Sequence, residues 1–248
     1  MHEFSRTELL IGREGLRRLA AAHVAVFGVG GVGGHAAEAL ARSGVGAIDL
    51  IDSDRVSLTN LNRQLAALHS TLGQSKVDVL ARRLTDINPA LRVVPRALFY
   101  LPETADQLNL ADYDYVLDCI DTVAAKLELI ARCSAAGIPI ISAMGAGNRL
   151  DPTQLRVGDI YETQHCPLAR VMRRELRRRG IGALRVVYST EPARMPLPDP
   201  DDPDAEQPQA ARRAVPGSMA FVPPVMGMIM TSVAVRELAG CPMEKGDP

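Results

Sequence analysis

The chain has 248 residues, of which 47% are hydrophobic and 23% are charged, and its formal net charge is −1. These proportions are typical of a globular protein and exclude a chain that is disordered throughout. With so small a net charge, the field of the whole molecule would not attract nucleic acid, so such binding would need a local basic patch.

The first residues, "MHEFSRTELLIG", lack the basic start and the long apolar run of a secretory signal. We therefore expect the protein to stay inside the cell, in the cytoplasm. The cysteines are far apart and form no C-x-x-C pair, which argues against a structural zinc site or a redox-active dithiol. Reduced thiols are expected at all four of them, Cys119, Cys133, Cys166 and Cys241.

Apolar runs alternate with helix-like runs along the first part of the chain. After an amphipathic segment at residues 12–22, the runs "HVAVFG", "AIDLID", "LRVVPRAL", "YVLDCI" and "IPIISAMG" are predicted as strands. Between them, "GHAAEALARSG", "SKVDVLARRLTDINP" and "TVAAKLELIARCSAAG" carry apolar residues at i, i+3 and i+4, which predicts helices. Strands that are apolar throughout need helices on both faces. The predicted fold class is therefore α/β, with a Rossmann-like, mainly parallel sheet.

The pattern changes from Asp151 onward. "LRVGDI", a basic helix and "LRVVYST" could extend the sheet with antiparallel edge strands, and a closing helix is expected at roughly Pro224 to Leu238. Residues 192–217 are rich in Pro, Asp and Gln and are predicted to form a mobile loop. The apolar stretch inside the closing helix is too short to span a bilayer, so we expect a buried helix. One domain is predicted over residues 1–248, with a core at 12–150 and a C-terminal extension at 151–248.

Four glycines lie between the first predicted strand and the first helix that follows it, where backbone must approach a phosphate with no side chain in the way: Gly28, Gly30, Gly31 and Gly33. The helix N-terminus adds free N–H groups and a partial positive charge. Asp52, at the end of the second strand, can accept hydrogen bonds from ribose hydroxyls. This spacing of strand, turn, helix and acid predicts a nucleotide site.

The residues beyond the ribose acid favour ATP over a dinucleotide. "DSDRVSLTNLNRQ" places Asp54, Asn60, Arg63 and Gln64 there, and "GQSKVD" adds Lys76 at the start of the next helix. Two cations that converge beyond a ribose suit a triphosphate, because a guanidinium and an ammonium both bind phosphate oxygens. Taken alone, Lys76 would be an ordinary solvated lysine at a helix start.

Two aspartates end the fourth strand, at the edge of the sheet where ligands of open α/β folds bind. A carboxylate there can hold Mg²⁺ against the phosphates. Asp121 is the more terminal and is our candidate metal ligand. Asp118 is expected to cap or pair internally.

The segment "CPLARVMRRELRRRG" predicts an amphipathic helix with a basic face. Leu168, Val171, Met172 and Leu176 share one side of the helix. The opposite side carries five arginines, Arg170, Arg173, Arg174, Arg177 and Arg178. A run of charges is usually a solvated surface, but five arginines with one intervening glutamate favour contact with RNA phosphates.

The pieces "GVGGVG", "LIDSDRVSLTNLNRQ", "GQSKVD", "INP" and "VLDCID" together resemble the ubiquitin-activating-enzyme-like adenylylating family that includes ThiF and MoeB. This resemblance covers Phe4 to about Leu150 and implies a nucleotide-binding parallel sheet, usually in a homodimer, that joins AMP to a carboxylate. The roles it implies are ribose binding by Asp52, phosphate binding by Asn60, Arg63 and Lys76, and Mg²⁺ binding by Asp121. The family's N-terminal arginine, lent to the ATP of the neighbouring subunit, corresponds best to Arg6, which could equally be a surface residue.

The second half of the chain is similar to one branch of this family, the tRNA threonylcarbamoyladenosine dehydratases. The similar blocks are "ISAMGAGNRLDPTQLRVGDIYETQHCPLARVMRRELRRRGI" and "SMAFVPPVMGMIMTSVAVREL". The resemblance implies ATP-dependent ring closure of N6-threonylcarbamoyladenosine in tRNA through an acyl-adenylate, with release of AMP and pyrophosphate. It leaves open a partner from a sulfurtransferase system.

The role of Cys166, just before the basic helix, stays open at this point. In other branches of the family a cysteine takes the activated acyl group, and His165 could act as its base, but ring closure needs no protein nucleophile. An activator of a ubiquitin-like sulfur-carrier protein that uses Cys166 is therefore an alternative, and a non-catalytic nucleotide-binding scaffold is another. Cys119 and Cys133 are expected to be small buried hydrophobic residues.

Overall fold

The computed structural model describes residues 2–197 and 216–241. Within these residues, seven strands form one sheet: β1 (His23–Phe27), β2 (Ala47–Ile51), β3 (Arg92–Arg96), β4 (Tyr115–Asp118), β5 (Ile140–Ala143), β6 (Leu155–Asp159) and β7 (Arg185–Ser189). Their order across the sheet is β3-β2-β1-β4-β5-β7-β6. Every neighbouring pair is parallel except β6 and β7. The predicted fold class is confirmed.

Helices cover both faces of the sheet. The long helices of the described residues are α1 (Ser5–Ala21), α2 (Gly33–Ser43), α3 (Lys76–Ile87), α4 (Val123–Ala136), α5 (Pro167–Arg178) and α6 (Val222–Ala239). Apolar residues of α1, α2, α3 and α6 belong to the core on one face, and those of α4 and α5 to the core on the other. The first helix is longer than the predicted segment 12–22, because it begins at Ser5 and continues through a break at Gly12.

Alternate side chains of β1 point to opposite faces of the sheet, and both faces are covered by helices. Val24 and Val26 belong to the core under α2 and α6, whereas Ala25 and Phe27 belong to the core under α4. All four are fully buried. A strand that is covered on both faces needs apolar residues at every position, as the sequence predicts.

The C-terminal strands differ in direction from the prediction. Only β6 is antiparallel to its neighbour, and β7 runs parallel to β5. The chain leaves β5 at the carboxyl edge of the sheet and enters β6 from that same edge, so β6 must run in the opposite direction. It then returns to this edge before α5, and α5 acts as the crossover into β7, which restores the parallel direction.

The predicted closing helix is confirmed as α6, a few residues longer than expected. Met226, Met230 and Ala234 are fully buried, and α6 packs on α1 and α2. Across the described residues, no helix has the length and apolar character needed to cross a membrane. The predicted mobile loop at 192–217 lies mostly outside the described residues, and its described ends, 192–197 and 216–217, contain neither helix nor strand.

Candidate active site

A cavity of about 590 Å³ opens at the carboxyl edge of the sheet. Its walls come from the segments that follow β1, β2, β4 and β5 and from the first residues of α5 and α6. Ten of the residues predicted from the sequence line it: Gly28, Gly30, Gly31, Asp52, Asp54, Asn60, Arg63, Gln64, Lys76 and Asp121. The structure therefore brings together the predicted nucleotide residues, which are spread over almost a hundred positions of sequence.

Glycine is required at different positions of the turn after β1 for different physical reasons. Gly28 has φ +82°, and a Cβ atom there would lie 2.8 Å from the carbonyl oxygen of Cys119. A Cβ atom on Gly33, which starts α2 behind the cavity wall, would overlap the carbonyl oxygen of Gly28. Gly30 instead has open space towards the cavity, with only the Gln64 amide nearby. Gly28 and Gly33 thus permit the turn, and Gly30 leaves room for a ligand phosphate. A Cβ atom on Gly31 would crowd the side chains of Pro223 and Arg63, at 3.2 and 3.3 Å.

Asp52 organises the glycine turn as well as facing the cavity. Its Oδ2 accepts a hydrogen bond from the Val29 amide at 2.8 Å, and its Oδ1 accepts one from the Asp54 amide at 2.8 Å. Each carboxylate oxygen has a second lone pair, so both oxygens can still accept from ribose hydroxyls. The structural link to Val29 was not predicted from the sequence.

Lys76 and Asp54 form an ion pair in the cavity wall, with Lys76 Nζ 2.7 Å from Asp54 Oδ2. Only 6% of the Lys76 side chain is exposed, whereas 65% of the Asp54 side chain is. The lysine at the start of α3 is therefore a buried charge aimed into the cavity and not a solvated surface lysine.

Arg63, Asn60 and Gln64 complete this side of the cavity. Arg63 lies over Gly31, and its Nη1 donates to the Thr59 carbonyl oxygen at 2.9 Å. Asn60 is buried, and its Oδ1 accepts from the Ser57 amide at 3.1 Å. The Oε1 of Gln64 is buried and has no hydrogen-bond partner among the described residues. Arg63 and Lys76 thus face the same cavity, as two phosphate-binding cations must.

The two aspartates at the end of β4 have separate environments. Asp118 is fully buried: its Oδ2 lies 2.8 Å from Lys126 Nζ and accepts from Ser142 Oγ at 2.6 Å. This confirms that Asp118 pairs internally. Asp121 is exposed in the cavity, and among the described residues its carboxylate accepts only a long bond, from Thr122 Oγ1 to Oδ1 at 3.4 Å. Its carboxylate is available to a cation.

Some lining residues were missed by the sequence reasoning. They include Leu98, Phe99 and Tyr100 beyond β3, the segment 144–149 beyond β5, and Pro216, Gly217 and Ser218 before α6. The glycines of "MGAGN" after an apolar strand were a usable signal for the second group. The others carry no motif and reach the cavity only through the folding of the whole chain.

The basic helix is confirmed as α5, with Ala169, Met172 and Leu176 buried in the core. Four of its arginines are exposed: Arg170, Arg174, Arg177 and Arg178. Arg173 is a correction. It lies at the border of the buried stripe and is half-buried, and its Nη1 donates to the Thr163 carbonyl oxygen at 2.8 Å. Its guanidinium is thus attached to the protein body and does not belong to the exposed face.

Arg6 does not line the cavity of its own chain. It is exposed on the first turns of α1. His165 is exposed too, with φ +55°.

Cys166 caps α5 from a buried position at the cavity wall, and its Sγ accepts from the Ala169 amide at 3.4 Å. Cys133 is fully buried, and burial raises the pKa of its thiol to about 12. Cys119 lines the cavity and is half-buried as a whole residue, but its side chain packs against the core and burial raises the pKa of its thiol. The expected small buried hydrophobic side chain is therefore confirmed for Cys119, although part of the residue faces the cavity.

Comparison with known proteins gives a consistent result. A family model described as ThiF family matches residues 4–247. The tRNA threonylcarbamoyladenosine dehydratase of Bacillus subtilis (strain 168) is 46% identical over 241 residues, which cover 96% of this chain and 95% of that protein. Among solved structures, the E. coli tRNA N6-threonylcarbamoyladenosine dehydratase TcdA in complex with AMP has a TM-score of 0.86 at 37% identity, with 96% of this chain and 94% of that chain covered. Its complex with ATP has a TM-score of 0.83 at the same identity and coverage.

Proposed function

The chain belongs to the ThiF family, and from this premise we propose that it catalyses the ATP-dependent dehydration of N6-threonylcarbamoyladenosine in tRNA. The observation that carries the proposal is the single cavity wall that joins a glycine turn, a ribose acid and two cations. Relatives with this named activity match almost the full length of the chain. The solved E. coli relative binds ATP and AMP, the first substrate and the last product of such a reaction.

The reaction is an activation followed by an internal displacement. A carboxylate is a poor electrophile, because its leaving group would be oxide. A threonyl carboxylate oxygen instead forms a bond to the α-phosphorus of ATP, and pyrophosphate leaves. The carbamoyl group of the same nucleoside then attacks the acyl carbon and loses a proton, and AMP leaves with the former carboxylate oxygen. Because both reacting groups are tethered, the effective molarity is high and no protein nucleophile is required.

We assign the nucleotide contacts to the residues that line the cavity. The amides of the turn at Gly30 and Gly31 would bind phosphate oxygens, and Asp52 would bind the ribose. Gly28 and Gly33 would shape the turn, because the Gly28 amide already donates to the Ile51 carbonyl oxygen at 2.7 Å. Lys76 and Arg63 would stabilise the charge that develops on the α-phosphorus. Asp54, Asn60 and Gln64 would complete the site.

We propose that Asp121 holds Mg²⁺ against the phosphates. The fit rests on an exposed carboxylate at the cavity wall, because carboxylate oxygens are ligands that Mg²⁺ prefers. Within the described part of the chain, this carboxylate makes one hydrogen bond, a long one. When bound, the ion would neutralise part of the phosphate charge. Asp118 does not fit this role, because its carboxylate is already paired with Lys126 and accepts a hydrogen bond from Ser142.

The exposed arginines of α5 are our proposed contact to the tRNA backbone. We expect the triple variant Arg170→Ala, Arg174→Ala and Arg178→Ala to bind tRNA more weakly, with a salt slope reduced by about one for each phosphate that the helix no longer neutralises. The measurement is tRNA affinity at several salt concentrations. A matched control replaces Arg42, Arg82 and Arg92, which are exposed on the opposite half of the sheet. Equal affinities for the two triple variants would contradict a special role of α5.

The remaining assignments concern the whole chain. We propose a single ThiF-type domain over residues 1–248, because strands from before and after residue 150 share one sheet. We further propose a homodimer in which Arg6 reaches the ATP of the partner subunit, since it does not line its own cavity. A sulfurtransferase-system partner stays a prediction. A cytoplasmic location is expected because the proposed substrate is tRNA.

The test is a reaction of the purified protein with ATP, Mg²⁺ and tRNA that carries threonylcarbamoyladenosine. Mass spectrometry of the digested nucleosides should show the loss of one water molecule, with AMP and pyrophosphate formed in equal amounts. Pyrophosphate release also rejects a non-catalytic scaffold. Cys166→Ser should keep this activity; its collapse would favour acyl transfer through the cysteine, as a sulfur-carrier activator requires. No dehydrated nucleoside from the wild-type protein would refute the proposed function.

A further inference from the structure

Arg149 is a buried cation in the cavity wall to which no role has been assigned so far. Only 1% of its surface is exposed, yet it lines the cavity. Its Nη2 donates to the His165 carbonyl oxygen at 3.1 Å, and its Nε has no hydrogen-bond partner among the described residues. Nor does any described carboxylate lie within 4 Å of it. A buried guanidinium without a counter-charge is costly, so its surroundings favour a bound anion.

The position of Arg149 along the sheet edge indicates which anion this is. Strands β2, β1, β4 and β5 are neighbours in that order, and their carboxyl ends bear Asp52, the glycine turn, Asp121 and the segment that leads to Arg149. A nucleotide with its ribose at β2 and its phosphates at β1 leaves the β5 end of the cavity to the second substrate. Arg149 therefore lies on the acceptor side of the phosphates.

We propose that Arg149 binds the carboxylate that is to be adenylylated and directs it towards the α-phosphorus. This inference rests on the proposed function and deepens it by naming the residue that recognises the acceptor. A planar guanidinium matches the two oxygens of a carboxylate. In the low dielectric of a buried wall, such a charge acts strongly on an anion placed in the cavity.

The loop that carries Arg149 is fixed on both sides. Asn148 has φ +60°, its Oδ1 accepts from the Gly217 amide at 2.7 Å, and its own amide donates to the Gly217 carbonyl oxygen at 2.8 Å. Its carbonyl oxygen accepts from the Arg194 amide at 2.9 Å. Arg149 itself is attached to the backbone just before α5. A binding group held in this way loses little freedom when the ligand arrives.

The carboxylate loses its charge as it becomes an acyl-phosphate, so Arg149 should act more strongly on the bound substrate than on the transition state. Arg149→Gln keeps an N–H donor for the His165 carbonyl oxygen and removes the charge. It should raise KM for the modified tRNA with no loss of kcat, and it should leave ATP affinity unchanged. A residue with only a structural role would lower Tm and affect ATP binding as well.

The decisive experiment is a cycle with two enzymes and two tRNAs. Wild type and Arg149→Gln bind tRNA that carries threonylcarbamoyladenosine, or the same tRNA with the threonyl carboxylate as its neutral amide. An ATP analogue with a methylene bridge between the α- and β-phosphorus atoms blocks turnover. We expect wild type to prefer the carboxylate by about tenfold to a hundredfold, and the variant to bind both equally. An unchanged preference in the variant would overturn the inference.

Two further arms keep the outcomes separate. Arg149→Lys keeps the charge and should retain part of the preference. A crystal structure of the wild-type protein with the same analogue and the modified nucleoside needs no variant: the carboxylate should contact the Arg149 guanidinium. A carboxylate bound elsewhere, or Arg149 paired with a side chain of the protein, would overturn the inference. Wild-type dehydration without coupling to Arg149 would refute this inference alone, whereas no dehydration would refute the proposed function.

Discussion

Lys76 is a buried charge that is paired within the protein when no nucleotide is bound. Its pairing with the exposed Asp54 lowers the cost of burial, and a triphosphate would offer a stronger set of oxygens. We expect Lys76→Met to reduce the rate of pyrophosphate release by about a hundredfold, the scale of one preorganised charge at a reacting centre. Asp54→Asn should have a much smaller effect, because it removes no positive charge from the reacting phosphates. The measurement is single-turnover pyrophosphate release with both variants.

Equal losses in Lys76→Met and Asp54→Asn would indicate that the pair has only a structural role. Tm of the two variants provides the control: Asp54→Asn leaves the buried Lys76 charge unpaired and should lower Tm, whereas Lys76→Met removes that charge together with its burial cost.

Asp49, in the middle of β2, is a buried charge with a structural role. Burial by itself would raise its pKa, but hydrogen bonds from Arg96, His23 and Tyr113 outweigh this effect and hold the pKa below its usual value. Since the pKa is lower in the folded chain, the stabilisation is complete above the unfolded value, about 4, and is lost as the pH falls through the folded value. Asp49→Asn should therefore cost about 2–4 kcal/mol at neutral pH and progressively less below pH about 4.

Denaturant unfolding from neutral pH down to the acid limit of stability would measure this difference. Asp86→Asn is the matched control, because Asp86 is exposed on α3 and should give no such pH dependence. A constant difference between wild type and Asp49→Asn across the whole range would show that the charge of Asp49 contributes nothing.

At the scale of elements, local patterns predicted more than long-range paths. Periodicity and apolar runs located β1 to β5 and the helices between them, because these signals depend on neighbouring residues. The direction of β7 was missed, since it depends on the return of the chain to the carboxyl edge before α5, which no local pattern shows. Arg173 was placed on the wrong face because a helical wheel does not show that Thr163 lies beside it. Arg149 was missed because its burial depends on segments far apart in sequence.

The close packing of α6 on the start of α2 constrains the position of the nucleotide-binding turn. A Cβ atom on Gly227 would overlap the carbonyl oxygen of Val32, the residue that precedes α2. Gly227→Ala should lower the free energy of unfolding by about 1–3 kcal/mol and weaken ATP binding, because α6 must move away from the turn. The sign of the change in the free energy of unfolding is informative. Alanine has a higher helix propensity than glycine, so without the steric overlap the substitution would stabilise α6.

Thermal unfolding and ATP titration of Gly227→Ala test this prediction. Gly182→Ala is the matched control, because a Cβ atom there meets nothing within 4 Å. A stabilised Gly227→Ala variant with normal ATP affinity would mean that α6 and α2 are not in close contact.

At the scale of the whole molecule, the sequence predicted residues that line the cavity, but it did not predict what covers the first turns of α1. The first turns of α1, before the break at Gly12, expose Leu9 to 85% and Leu10 to 88%, close to Arg6 in sequence. Large apolar side chains with such exposure suit a surface that another subunit covers. This is the surface we expect in the proposed homodimer, and it would bring Arg6 to the partner's cavity.

Mixed dimers test this arrangement directly. Arg6→Ala and Lys76→Met should each be almost inactive alone. In a dimer with one subunit of each kind, the Arg6→Ala subunit keeps its lysine and receives Arg6 from its partner, so one cavity is complete. Heterodimers isolated through a different tag on each subunit should then show about half of the wild-type pyrophosphate release, because one of their two cavities is complete. If Arg6 served its own cavity, no pairing would restore activity, and if it served none, Arg6→Ala would be active alone.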